Sequence, residues 1–249
     1  MRAPAIDWSA IDTLFLDAGG TLISMDFDWI ARELDALGAR CEPARIARAE
    51  AAARPIVSRA IARGGSTEAR DTFSGYVELV LRSALPHVAE PDREDLARQL
   101  VPRIRIPGRA LELWSAVLPG VPEALARLRA AGLRLVVVSN ADGTVEEGLT
   151  RAGLRPYLDA VVDSHVIGHE KPDPRIFAHA LGLFGSSAAR TLHVGDFYAA
   201  DVVGARAAGV HALLLDPYGD WGELDCPVAR DVPEVAERLL SVKSREGRG

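Results

Sequence analysis

The apolar positions change period as the chain advances. Thr13 to Leu16 is a short apolar run that ends in Asp17, with Gly19 and Gly20 close behind. Such a run, stopped by glycine, reads as a buried strand followed by a tight turn, with Asp17 at the strand's carboxyl end. Further on the period becomes helical. Trp29, Ile30, Leu34 and Leu37 share one broad face, and Gly38 follows as a stop signal. Residues 43–63 are rich in Ala and Arg and favour helix. Gly64-Gly65-Ser66 interrupts them, and further helical segments are expected at 68–85 and 92–103. No strand-like run lies between Asp26 and Leu113.

After the turn Pro119-Gly120-Val121-Pro122 the texture alternates. A helix ending near Gly132 leads to a strand at 133–138, which stops at Ser139-Asn140. Helices are then expected at 145–152, 175–183, 199–208 and 232–242, and strands at 160–162, 191–194 and 211–215. Alternation of this kind implies βαβ units and a parallel sheet. The fold class expected is α/β: a Rossmann-like parallel sheet core with an inserted all-helical segment. A parallel sheet would bring Asp17 and Asp196, both at strand ends, to one edge. That edge is where open α/β sheets bind ligands. The polar tail 244–249 is expected to be disordered.

Composition narrows the reading a little. A chain of 249 residues can form one large domain or a core with a smaller one. The apolar fraction of 48% and charged fraction of 26% are ordinary for a globular protein. A net charge of -6 argues against a general nucleic-acid binder. Cys41 and Cys226 stand far apart and show no disulfide or metal-ligand spacing, so a reducing compartment is the default. The first residues lack the apolar stretch of a signal peptide, and no run approaches a membrane span. The expectation is a cytoplasmic protein acting on a small molecule, with no membrane or nucleic-acid partner. Lys171 and Lys243 are the only lysines, so arginine carries nearly all the positive charge.

Four stretches carry the candidate chemistry: Asp17-Ala-Gly19-Gly-Thr21, Val137-Val-Ser139-Asn140, Glu170-Lys171-Pro-Asp-Pro174, and Gly195-Asp196 with Asp201. In this order they resemble the haloacid dehalogenase (HAD) superfamily, most of whose members are Mg²⁺-dependent phosphatases. The resemblance covers about 12–217. It implies a helical cap domain at 24–114, inserted into a core formed by 1–23 and 115–249. It implies that Asp17 is the nucleophile of an aspartyl-phosphate mechanism, splitting one difficult step into two. It implies that Asp17, the carbonyl of Gly19, Asp196 and Asp201 form the Mg²⁺ site, with Asp201 acting through a metal-bound water or by orienting the lysine. Thr21, Ser139 and Asn140 would bind phosphate, and Lys171 would stabilise developing negative charge.

One position departs from the pattern. Phosphatases of the superfamily carry, two residues after the nucleophile, an Asp that protonates the leaving group and later activates water. This chain has Gly19 there. A positioned general acid–base group is worth ~10²–10⁴ in rate. The readings, in order, are a phosphatase of a small phosphorylated metabolite with another acid or an easy leaving group, a 2-haloacid dehalogenase, and a fold kept for binding alone. A phosphonatase comes last, because it needs a cap lysine and residues 24–114 contain none. A subgroup of capped HAD proteins, similar at 171–177 and 193–196, varies at the same position. Arg54, Arg59, Arg63 and Arg70 are expected on a solvated helix face, Trp114 as a packing anchor, and His193 as a structural core residue.

Overall fold

The structure is a computed structural model and describes residues 6–66, 69–106 and 110–246. Six strands form one parallel sheet: β1 (Thr13–Leu16), β4 (Arg134–Ser139), β5 (Ala160–Asp163), β6 (Thr191–Gly195), β7 (His211–Leu215) and β8 (Val228–Ala229), in the order β5-β4-β1-β6-β7-β8. The remaining two strands, β2 (Ile23–Met25) and β3 (Trp114–Val117), pair antiparallel as a separate ribbon. The sheet and its helices confirm the Rossmann-like α/β class.

β1 is central, and both of its faces are covered. Leu14 and Leu16 point to one side with Leu135, Val137, Leu192 and Val194. There they meet α6 (Val121–Ala130), α7 (Val145–Arg151) and α11 (Val232–Glu246). Phe15, Val136 and Val138 point to the other side, against α9 (Pro174–Gly182) and α10 (Val203–Ala207). Burial on both faces explains why the strands read as continuous apolar runs rather than alternating ones. The register aligns Leu16 with Val137 and with Val194. Asp17, Ser139 and Asp196 therefore emerge at the same edge.

Between the ribbon strands run α1 (Phe27–Ala36), α2 (Pro43–Ile61), α3 (Arg70–Ala84), α4 (Glu90–Ile104) and the single turn α5 (Ala110–Leu113). They enclose their own apolar cluster, built on Leu34, Ile46, Leu81, Leu100 and Ile104. Asp26 starts α1 by accepting the Trp29 backbone N–H at 2.7 Å, the side-chain cap that helix N-termini favour. The helical reading of this region holds for the described residues. The expected helix start at residue 68 lies outside them, as do residues 107–109.

The structure departs from expectation in several places. β2, β3 and β8 are too short to leave a pattern in the sequence. One uniform helix was expected at 199–208; the chain instead makes a π-helical turn (Tyr198–Val202) before α10. The single turn α8 (Ser164–Ile167) follows β5 directly. The tail is helical as far as Glu246, and 247–249 lie outside the described residues. Among the described residues no helix is long and apolar enough to cross a membrane.

Candidate active site

β1 delivers Asp17 to the sheet edge, where its backbone N–H donates to the Val194 carbonyl at 2.9 Å. The turn beyond it cannot carry a side chain at position 20. Gly20 has a φ of +69°, and a Cβ there would lie 2.1 Å from Asp196 Oδ2. Gly195 is equally constrained, since a Cβ would sit 2.2 Å from Asp201 Cγ. The two carboxylates on the neighbouring loop approach because glycine leaves them room.

Lys171 lies between carboxylates. Its Nζ is 2.8 Å from Asp17 Oδ1 and 2.7 Å from Asp201 Oδ1. Its side chain is almost wholly buried. Burial alone would favour the neutral amine, but Asp17 and Asp201 outweigh it and hold the ammonium firmly protonated. Asn140, expected at the phosphate, also braces the lysine loop. Its Nδ2 donates to the Lys171 carbonyl at 2.9 Å, and its Oδ1 accepts the Lys171 N–H at 2.7 Å. The end of β4 thereby fixes the loop that carries the lysine.

Asp201 projects from the π-helical turn, a feature common at functional sites. Its Oδ1 meets Lys171 and His193 Nε2, the latter at 2.9 Å, and its Oδ2 accepts the Phe197 N–H at 2.8 Å. Burial pushes this carboxyl up, but Lys171 and His193 together hold it well below the usual carboxylate range. Both Asp201 oxygens are thus engaged, one of them by Lys171. His193 is a core residue, as expected, and also completes this chain of contacts.

The main correction concerns Arg54, which meets Asp196. The Asp196 Oδ2 lies 3.2 Å from Arg54 Nη1 of α2. Arg54 is 8% exposed and does not lie on a solvated face. It also forms a forked pair with Glu50, at 3.0 Å through Nε and 2.7 Å through Nη2, and the Tyr76 hydroxyl donates to Glu50. Burial opposes the guanidinium's charge, yet Glu50 and Asp196 push its pKa further up. Asp196 itself is raised by burial beyond what Arg54 can offset, and Asp17 is raised by burial against the pull of Lys171. Among the other expected arginines, Arg59 and Arg63 are exposed, and the side chain of Arg70 lies outside the described residues. One sequence signal for Arg54 existed: Glu50 and Arg54 are four residues apart, a spacing that pairs on a helix.

The donor set suits a hard divalent cation. Asp17, Asp196 and Asp201 each present an oxygen within 4.8 Å of the others. Asp196 Oδ1 is buried with no hydrogen-bond partner, and so is Thr21 Oγ1. Carboxylate and carbonyl oxygens are what Mg²⁺ takes, usually alongside water. Gly19, expected to lend its carbonyl, lines the same cleft of about 880 Å³, as do Ser139 and, from the helical insertion, Phe73 and Ile104. Trp114, the expected packing anchor, contacts both the sheet's apolar cluster and that of the helical insertion. It also lies over Gly19, where a Cβ would come 3.0 to 3.3 Å from three atoms of its ring.

The family model of haloacid dehalogenase-like hydrolases matches residues 11–209. The chain belongs to this family. Over 134 residues the HAD-like hydrolase is 46% identical to "Haloacid dehalogenase-like hydrolase domain-containing protein 3" of Bos taurus, an alignment covering 53% of each chain. It is 37% identical over 170 residues to a phosphoglycolate phosphatase of Nitrosospira multiformis, covering 66% of this chain and 73% of that one. The hydrolase spans about half the length of the curated HAD-domain relatives it matches first, 53% for the bovine protein. Among solved structures, the HAD-hydrolase YfnB of Bacillus subtilis bound to magnesium superposes with a TM-score of 0.63 at 20% identity. That superposition covers 92% of this chain and 98% of that one, and shows a common fold.

Proposed function

We propose that this HAD-like hydrolase is a Mg²⁺-dependent phosphatase of a small phosphorylated metabolite, working through an aspartyl-phosphate on Asp17. The observation that carries the reading is the placement of Lys171 between Asp17 and Asp201, beside Asp196 with its unpartnered oxygen. An attacking carboxylate and a phosphate repel each other. A cation held by Asp17, Asp196 and the Gly19 carbonyl, with Asp201 behind them, would offset that charge.

Within this reading Asp17 attacks phosphorus. Lys171 stabilises charge on the transferring group, where a preformed donor costs no reorganisation at the moment of reaction. Asp201 and His193 keep the ammonium aimed, and Asn140 keeps its backbone in place. Thr21 and Ser139 offer hydroxyls to the phosphoryl oxygens. Residues 24–114 act as a cap over a core of 1–23 and 115–249, and their closure excludes water from the cleft. Displacement of halide from a 2-haloacid is the second reading. It needs no cation, and so gives the unpartnered Asp196 oxygen no use.

The test is phosphate release from acetyl phosphate and p-nitrophenyl phosphate by the wild type and Asp17→Asn, each with and without Mg²⁺. Release that requires both Asp17 and Mg²⁺ is the expected result. Release untouched by complete chelation, or equal in Asp17→Asn, would refute it. Halide release from 2-haloacids in the absence of phosphate release would move the assignment to the dehalogenase reading.

A further inference from the structure

Position 19 stands beside the nucleophile on the wall of the cleft, and what occupies its side-chain space is an indole. A Cβ at Gly19 would lie 3.0, 3.2 and 3.3 Å from three adjacent atoms of the Trp114 six-membered ring. Those distances are tighter than ordinary van der Waals contact, so a longer side chain has no room unless the ring moves. The ring is held. Trp114 opens β3, is in register with Met25 of β2, and packs against two apolar clusters at once.

None of the other carboxylates described along the cleft is held against position 19: two are buried in contacts of their own, and two lie exposed. Asp196 faces Arg54, and Asp201 is filled by Lys171, His193 and the Phe197 N–H. Asp142 accepts both the hydroxyl and the N–H of Thr144. Glu78 is exposed on α3, and the Tyr76 hydroxyl is given to Glu50. Asp26, near in sequence, is the N-cap of α1. At Gly19 the wall is the Trp114 ring, and Phe73, Val101, Ile104 and Leu111 add apolar surface to the same cleft.

We propose that Trp114 replaces a proton donor with an apolar wall, and that the site therefore acts on phosphates whose leaving group departs as a stable anion: aryl, enol or acyl phosphates rather than alkyl ones. This deepens the phosphatase reading of Asp17 and rests on it. In the first step an Asp17 carboxylate oxygen forms a bond to phosphorus. The bond from phosphorus to the leaving oxygen breaks, and that oxygen keeps the electron pair with no proton supplied. In the second step water attacks the phosphorus of the aspartyl-phosphate. Inorganic phosphate leaves, the Asp17 carboxylate returns, and the proton passes to solvent. An indole against an aryl or acyl group also adds apolar contact that a carboxylate would not provide.

The test is a leaving-group series on the intact protein with Mg²⁺: 2,4-dinitrophenyl, p-nitrophenyl, phenyl and alkyl phosphates, reading kcat/KM so that the first step is reported. We expect kcat/KM to fall by at least ~10² from the nitrophenyl to the alkyl ester, the lower end of what a positioned acid supplies. Gly19→Asp should keep the steep dependence while Trp114 stays in place. Gly19→Asp with Trp114→Ala should raise turnover of the alkyl ester relative to nitrophenyl. If the double variant does not fold, the wild-type series decides alone. Rates equal within about threefold across the series would overturn this proposal and leave the phosphatase reading standing. No release from even the dinitrophenyl ester, with Asp17→Asn indistinguishable from wild type, would overturn both.

Discussion

Replacing Arg54 by Met removes a charge that three side chains share, while keeping a long apolar stem. In the structure the guanidinium bridges Glu50 and Asp196, and all three residues are at least nine-tenths buried. Arg54→Met leaves Glu50 with the Tyr76 hydroxyl, and Asp196 with two buried oxygens and no counter-charge. Removing one partner of a buried pair costs ~3–5 kcal/mol, because the polar groups left behind stay desolvated without their partner. Domains have only ~5–15 kcal/mol in total, so the loss should be plain in urea unfolding. With EDTA present we expect a loss in that range, with the slope of the transition unchanged. Mg²⁺ at ~100 times its dissociation constant adds ~2.7 kcal/mol to any folded state that binds it. The variant should gain at least as much as wild type, since Asp196 Oδ2 no longer faces Arg54. Arg54→Lys keeps the charge without the fork and should fall between the two. A loss below ~1 kcal/mol in EDTA would place Arg54 among ordinary surface ion pairs and refute the buried-triad argument.

Three further outcomes follow from the geometry. Asp201→Asn should destabilise the metal-free protein at neutral pH. Because Lys171 and His193 lower the Asp201 pKa on folding against the cost of burial, its contribution is present above the unfolded value of ~3.9. The gap between wild type and variant should hold from pH 7 down to about 5 and begin to close below about 4; a gap that widens on acidification would reverse the assigned sign. Gly195→Ala puts a Cβ 2.2 Å from Asp201 Cγ, so it should lower both stability and turnover, and a variant matching wild type in thermal melting and phosphate release would contradict the packing described. Burial raises the Cys226 thiol to about 11 despite Arg206, so its alkylation at pH 8 should run on the order of 10²-fold slower than that of a free cysteine and accelerate steadily to pH 10; fast alkylation at pH 8, assigned to Cys226 by peptide mapping, would count against it.

Much of the core was legible because its strands are buried on both faces and stop at glycine or a polar residue. β1, β4 and β6 could be placed to within a residue or so, and from them the meeting of Asp17 with Asp196. Lys171 stood out because lysine is scarce in the chain. Arg54 was not legible, since α2 also carries Arg45, Arg48 and Arg59 and periodicity does not say which turn faces the sheet edge. The answer lies in tertiary contacts: Ser58, one turn beyond Arg54, accepts the backbone N–H of Ala199 in the π-helical turn. The role of Trp114 was hidden for a similar reason. Its neighbour Gly19 is ninety-five residues away in sequence, and β2 and β3 are too short to announce their pairing. Asn140, at the end of a strand, is a candidate ligand-facing amide from the sequence, but its contact within the protein is not legible there. Its partner, the Lys171 backbone, could be found only in three dimensions.

The β2–β3 ribbon has a consequence for how such a molecule can be altered. The chain leaves the ribbon at Met25 and returns to it at Trp114 as paired neighbours, and Asp26 N–H donates to the Leu113 carbonyl at 2.7 Å. Departure and return thus lie side by side, a gap that a tight hairpin turn can bridge. The helices between them can be exchanged as a cassette without stretching the sheet. A transplant that kept the ribbon would leave Asp17, Lys171, Asp196 and Asp201 to one parent. Arg54, Glu50 and Tyr76 would come from the other, and with them the only cation that reaches Asp196 from outside the sheet among the described residues.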